Sequence, residues 1–538
     1  MYGTPVYILK EGTERTKGKD AQRNNITAAR AVAEAIRSAL GPKGMDKMLI
    51  DQFSDVTITN DGATILKEIE VQHPAAKFVI DLAKTQDQET GDGTTSVVVL
   101  AGELLKQAEE LLDMDIHPSS IIEGYKIARL QAAKILEDMA VDVSFDNDEM
   151  LRYVAQTSMS SKIISAEKEY LSDIVVRAVK AITEERDGEL YANIDNIQIQ
   201  KKKGGSLADT ELIDGIILDK EIVHADMPKK ITDAKILLID KGLELSKTEI
   251  DAKINITSAD QVQAFLDREH DMLKEMADKI IQSGANVVLC QKGIDDIVQH
   301  YLAKAGVAAV RRIKKSDMAK LSKATGAKIT TSLDDLEKFL GHAKVVEERN
   351  VSDDKMVFIT GCKNPKAVSL LIRGGTEMIV NEAERAIHDA LCVVRQVIHD
   401  KKVVPGGGAP EIRISQKLQE FAKEQTSRIQ LAVEKFAKAV EIIPRTLSEN
   451  AGLDPIDVLS ELHAQHSKNG FGYGVDPFTG SVKDMTKLNV WEPISVKKQA
   501  IDSASEAAEM ILRIDDVIAA KELSKEPPMP GQGGEEEY

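Results

Sequence analysis

A change of rhythm along the chain constrains its fold more than any other feature. From about Lys235, the strand-like runs Lys235–Asp240, Asn286–Cys290 and Val307–Ile313 alternate with helical stretches at 258–283, 293–305 and 316–325. Alternation of this kind predicts an α/β domain with a largely parallel sheet. Both flanks read as helical. On the N-terminal side the pattern predicts a helix over 26–40, with Asn25 as N-cap and Gly41-Pro42 as its stop. Two short strands, Met48–Ile50 and Val56–Thr59, precede helices at 64–86, 95–112 and 119–139. On the C-terminal side a strand at Ala367–Ile372 runs through Arg373-Gly374-Gly375-Thr376 into a helix over 377–400. Helices at 410–423, 427–450 and 455–465 follow. The tail PPMPGQGGEEEY is disordered by composition. At 538 residues the chain needs several cores. Periodicity alone does not say whether the two helical ends share one of them.

Charge and cysteine content narrow the function. Lys and Arg total 70 against 88 Asp and Glu, a net charge of -18. Neutralising a phosphate backbone needs a basic surface, so nucleic acid is not expected as a main partner. Cys290, Cys362 and Cys392 form no Cys-x-x-Cys pair and are odd in number, which suits buried free thiols in a reducing compartment. The first residues, MYGTPVYILKEGTERTKGKDAQ, contain no continuous apolar segment of the signal-peptide kind. No apolar run approaches the roughly 18–20 residues that span a bilayer, so a soluble, cytoplasmic protein is expected.

The candidate chemistry begins at Gly91-Asp92-Gly93-Thr94-Thr95. A glycine-rich turn opening a helix presents free backbone N–H groups to an anion, reinforced by the helix dipole. Thr94, Thr95 and Ser96 add hydroxyl donors. A carboxylate at position 92 would repel phosphate unless a cation lies between them, which implies magnesium. The lysine of a Walker motif is absent, so this is not the ordinary P-loop. The same pentapeptide also suits a capped surface turn. Asp61, in Asn60-Asp61-Gly62, reads equally as a turn or N-cap residue, and Asp389 as a solvated position beside an apolar helical stripe. Gly406-Gly407-Gly408 allows close approach to a ligand or forms a hinge. Residues 243–283 combine an irregular polar stretch with a helix whose apolar positions include Phe265, Leu266, Met272 and Ile280, with Ser258-x-x-Gln261 fitting a capping box. That stripe packs on its own domain or offers an adaptable surface to exposed apolar segments.

Taken in order, LGPKGMDKML (40–49), TNDGATIL (59–66), HPAAK (73–77), GDGTTS (91–96), LIRGGTE (371–377), VVPGGGAPE (403–411) and ILRIDDVI (511–518) resemble the group II chaperonins, the archaeal thermosome and eukaryotic cytosolic chaperonin family. The resemblance covers nearly the whole chain and favours the archaeal forms. It implies a multi-domain α+β and α/β chaperonin fold. Residues 1–149 and 405–538 would form a mostly helical equatorial ATPase domain, 150–216 and 368–404 a small intermediate domain, and 217–367 an α/β apical domain. The 243–283 segment would be that domain's helical protrusion, a built-in lid. The implied function is an ATP-dependent chaperone in a double ring of eight or nine identical or paralogous subunits per ring, acting on unfolded clients with Mg2+, and with K+ as a further cation. Gly41, Gly93, Thr94, Thr95 and Ser96 would hold the phosphates, and Asp92 the magnesium. Asp61 and Asp389 would position the attacking water, Asp389 arriving with the intermediate domain. Lys162, in Ser160-Ser161-Lys162, would sense the γ-phosphate, with Ser161 beside it. Gly407 and Glu492 would line the nucleoside pocket.

Two other readings stand beside this one. A magnesium-dependent small-molecule phosphotransferase would use the same loop but gives residues 243–283 no task. A ring scaffold that binds nucleotide without turnover has no use for Asp61 and Asp389.

Overall fold

A computed structural model describes residues 13–161, 163–245, 259–362 and 366–520. The Ser258 cap, Lys162 and the acidic tail from 521 lie outside the described residues.

Apolar side chains gather into three main cores. The first draws on residues 26–139 and again on 404–512, so the two helical flanks share one interior. Four long helices, Gly18–Arg37, Thr94–Asp113, Pro118–Met139 and Ile494–Leu512, pack here with Ser427–Val440. Contact between Pro118–Met139 and Ser427–Val440 is close because Gly124 faces Ala432, where any added Cβ would collide. Beside it the Tyr125 and Phe436 rings meet edge to face at 5.4 Å. A two-stranded antiparallel ribbon pairs Thr13–Lys17 with Asp516–Ala520, with Arg15 bridging to Asp516 across it.

The second core lies within residues 216–367. Its seven-stranded sheet runs Ala308–Val310, Val287–Cys290, Lys230–Ile239, Gly341–Val351, Asp354–Thr360, Gly215–Leu218, with Ile329–Thr330 also on Lys230–Ile239. The strands read from the sequence pair in parallel, but the last three add antiparallel pairings, so the sheet is mixed rather than largely parallel. In the helix Ala259–Gln282 the later turns are buried through Leu273, Ala277 and Ile280, whereas Phe265, Leu266 and Met272 are exposed. Leu243 is buried and its backbone pairs with Gly293 and Asp295, so it belongs to the sheet side of this region.

The third core joins residues 143–207 to 368–403, with Trp491 and Val496. Its sheet places Val368–Gly374 between Ile197–Lys203 and Glu211–Ile213. Val368–Gly374 is buried almost throughout, then delivers the helix Glu377–Asp400, whose first turn is capped by Thr376.

Several local expectations shift. The first helix begins at Gly18, and Asn25 lies buried within it rather than capping it, because the apolar face extends back to Ala21. The stretch 64–86 is two helices, Gly62–Glu68 and Pro74–Thr90. His73 caps the second, accepting from the Ala75 N–H through Nδ1, and Pro74 starts it, since a residue before proline leaves the helical region. Likewise 427–450 divides into Ser427–Val440 and Ile442–Asn450.

Phe436 joins the two halves of the first core, so Phe436→Ala should lower stability by about 3–5 kcal/mol. Denaturant titration followed by circular dichroism checks this.

Candidate functional site

Where the first and third cores meet, a cavity of about 520 Å3 opens. Gly41, Asp61, Asp92, Gly93, Thr94, Thr95, Ser96, Ser161, Asp389, Gly407 and Glu492 all line it. Lys162, next to Ser161, lies outside the described residues.

Its floor is the loop between two helices. Pro74–Thr90 ends at Gly91 with φ 71°, and Thr94–Asp113 begins after Gly93 with φ 80°. Both angles lie in the left-handed region that glycine reaches at no steric cost. Asp92 between them accepts from the Gly93 N–H through Oδ1 at 2.6 Å. The first-turn N–H groups of a 20-residue helix thus face the cavity beside the Thr94 and Thr95 side chains. From behind, the buried Gln86 side chain donates to the Asp92 carbonyl at 3.0 Å and to Thr90 Oγ1 at 2.9 Å, while Thr90 donates to the same carbonyl at 2.9 Å. Gln86 and Thr90 fix the loop's shape. Their signal in the sequence is faint: two polar residues one helical turn apart on an apolar face.

Asp61 caps the short helix Gly62–Glu68, Oδ2 accepting from the Thr64 N–H at 2.9 Å and from its hydroxyl at 2.7 Å. A Cβ on Gly62 would come within 2.9 Å of the Thr95 nitrogen, so the Asp61 turn lies directly on the floor. Asn60 donates to the Ser161 carbonyl at 2.5 Å, drawing the Ser160-Ser161 corner into the same wall. Asp389 is buried on the helix Glu377–Asp400, one turn before Cys392, which packs on Gly91 where no Cβ fits. Burial pushes the Cys392 thiol up to about 12. This cysteine is a packing group, not a nucleophile.

Opposite, Lys402–Pro405 pairs with Trp491–Pro493 and sets Glu492 against the Gly406–Gly408 turn. Behind the floor Lys497 Nζ sits 2.9 Å from Glu411 Oε1 and 2.8 Å from Glu492 Oε2. Burial opposes the charge on Lys497, but the two carboxylates outweigh it and hold the ammonium above the ordinary lysine range. Burial raises Glu492 above the ordinary carboxylate range against the pull of Lys497. Neither Glu411 nor Lys497 stands out in the sequence, since their pairing joins positions 86 residues apart.

Cavity-lining charge is mostly negative: Asp61, Asp92, Asp389, Asp476 and Glu492 against Lys168 and Lys497 among the described residues. An anion enters such a site with a cation of its own. Among the described residues no three His, Cys, Asp or Glu side chains are grouped to hold a metal alone.

Residues 32–522 match the TCP-1/cpn60 chaperonin family. The chain belongs to that family. It is therefore a chaperonin, an ATP-hydrolysing chaperone that assists protein folding. Among curated relatives, thermosome subunit beta of Archaeoglobus fulgidus is 60% identical over 99% of this chain and 98% of its own length. Thermosome subunit alpha of the same organism is 56% identical over 100% of this chain and 99% of its own. A thermosome subunit of Pyrococcus horikoshii is 57% identical over 100% and 98%. This family membership leaves no room for the phosphotransferase reading. No helix among the described residues of this chaperonin is long and apolar enough to cross a membrane.

Lys497→Met should leave Glu411 and Glu492 facing each other without a cation, at a cost of about 3–5 kcal/mol. Adding Glu411→Gln should recover part of that loss in the same denaturation assay.

Proposed function

We propose that the cavity is the chaperonin's Mg-ATP site and that hydrolysis there drives one subunit of a double-ring folding chamber. The observation that carries this reading is the convergence of the Asp92 loop, the Asp61 turn and Asp389 on one cavity from separate stretches of chain. The N–H groups and hydroxyls of Thr94, Thr95 and Ser96, with Gly41 and Gly93, hold the phosphates. Asp92 would hold Mg2+, which would supply the positive charge that the phosphates need; such an ion asks for one or two carboxylates rather than a closed protein cage. Its neighbours Asp61 and Asp389 orient a water in line with the γ-phosphorus. The water oxygen bonds to phosphorus, the bond to the β–γ bridging oxygen breaks, and a proton passes to a carboxylate as ADP leaves. Gly407 and Glu492 border the nucleoside, and Lys162 with Ser161 contacts the γ-phosphate. K+ is a further cation of the site.

The three cores support the division into an equatorial domain (1–149 and 405–538), an intermediate domain (150–216 and 368–404) and an apical domain (217–367). Asp389 then rides on the intermediate segment, so turnover waits on domain closure. The exposed Phe265, Leu266 and Met272 on Ala259–Gln282 suit a lid or an unfolded client. The subunit belongs to rings of eight or nine in the cytoplasm; the names thermosome subunit alpha and beta, given to relatives from one organism, support paralogous subunits within them.

Asp389→Ala should abolish steady-state hydrolysis while ATP still binds. Binding is read from the emission of Trp491, the protein's one tryptophan, which lines the cavity. Hydrolysis at the unaltered rate in that variant defeats the assignment. Asp92→Ala should weaken ATP binding in the presence of Mg2+ but not in its absence, by calorimetry. Electron microscopy with a client-refolding assay tests the chamber: single subunits without client rescue remove it.

A further inference from the structure

We propose that Glu382 is a positioning residue for hydrolysis, latching the helix that carries Asp389 onto the turn that carries Asp61. The inference rests on the reading of those two aspartates given above.

Glu382 lies on Glu377–Asp400 seven residues before Asp389. Two helical turns separate them, so they share a face. The residue is 1% exposed, and a carboxylate is an expensive group to place there. Its Oε2 accepts from Arg385 Nη1 at 2.6 Å and from the Thr59 hydroxyl at 3.2 Å. Its Oε1 is buried with no partner among the described residues. Arg385 offsets the charge from the same helix, and the Thr59 hydrogen bond is the contact that carries the carboxylate across to the strand.

Thr59 is fully buried, the last residue of the strand Val56–Thr59. Its hydroxyl oxygen accepts from the Asp61 N–H at 3.1 Å while its proton goes to Glu382. One hydroxyl thereby joins the helix to the backbone of Asp61. Farther along, the same helix meets the other nucleotide loop: Cys392 packs on Gly91, and Gln396 donates to the Glu89 carbonyl at 2.7 Å. Docking of the helix is thus recorded on both loops, and through Thr59 the Glu382 contact reaches Asp61. Neither Thr59 nor Glu382 is among the described residues lining the cavity. Their influence falls on turnover rather than on nucleotide affinity. When the helix swings away, the Thr59 hydroxyl loses its charged acceptor and the Asp61 turn is released, so both carboxylates leave their working positions together.

Steady-state ATPase kinetics of the full-length assembled protein test this. Glu382→Ala and Thr59→Val should each lower kcat by about ten- to a hundredfold, the loss of a hydrogen bond to a charged group, with KM for ATP within about twofold. Glu382→Gln keeps an oxygen acceptor for Thr59 and should restore most of the rate. Combining Glu382→Ala with Thr59→Val should be no slower than the slower single variant, since both break one link. A raised KM with kcat intact, multiplicative losses in the double variant, or Glu382→Gln as slow as Glu382→Ala would each overturn the latch. If Glu382→Ala does not assemble, Thr59→Val and Glu382→Gln carry the test. Asp389→Ala serves as reference. Should it hydrolyse ATP normally, the site reading itself fails; should it be inactive while the Glu382 and Thr59 variants run normally, only the latch fails.

Discussion

Two stretches of chain must meet before the helical core exists. Its N-terminal share ends at Met139 and its C-terminal share resumes at Val404, a gap of about 265 residues. Tyr125 against Phe436 and Gly124 against Ala432 are among the contacts that close it, and Ile494–Leu512 adds others. Everything between is an insertion that leaves this core and returns to it. The second core, wholly inside the insertion, makes its own interior from a mixed sheet and its covering helices. The third is built on the way out and on the way back, which is why its central strand Val368–Gly374 takes partners from Ile197–Lys203 and Glu211–Ile213.

The cavity lies where outgoing and returning chain pass each other. Its floor comes from the outgoing half, the helix bearing Asp389 from the returning half, and the Glu492 wall from farther on. Such a site assembles only when the cores sit correctly against one another. Its charge works in the same direction. A cavity rich in carboxylates repels a bare polyphosphate and accepts one that brings a divalent cation. The buried Lys497, shared between Glu411 and Glu492, offsets part of that excess.

Much of this was legible in the sequence because short motifs mark turns. Gly91-Asp92-Gly93 and Asn60-Asp61-Gly62 announce helix starts with a carboxylate, and both head a helix here. Their meeting was not legible from spacing, since a Gly62–Thr95 contact depends on how helices pack. Asn25 misled because asparagine favours caps, yet the apolar stripe continues past it to Ala21. The antiparallel half of the large sheet stayed hidden because Gly341–Val351 carries His342, Lys344, Glu347, Glu348 and Arg349 among its apolar residues, which dilutes any strand signal. Gln86, Glu411, Lys497 and Glu382 were silent for a common reason: each is a polar residue in a buried position, explained only by a partner brought in by the fold.

The pairing of Thr13–Lys17 with Asp516–Ala520 has a consequence for how the protein is made. Its first described strand waits for its last. At about 5–20 residues per second, a ribosome needs roughly 15–50 s to cover the gap between Met139 and Val404. During that time the apolar faces of Thr94–Asp113 and Pro118–Met139 have no C-terminal partner to cover them. The inserted α/β unit, whose core is complete in itself, emerges whole within that interval. A protein that shelters unfinished chains thus passes through a long unfinished stage of its own, its middle complete in sequence before its beginning has a partner.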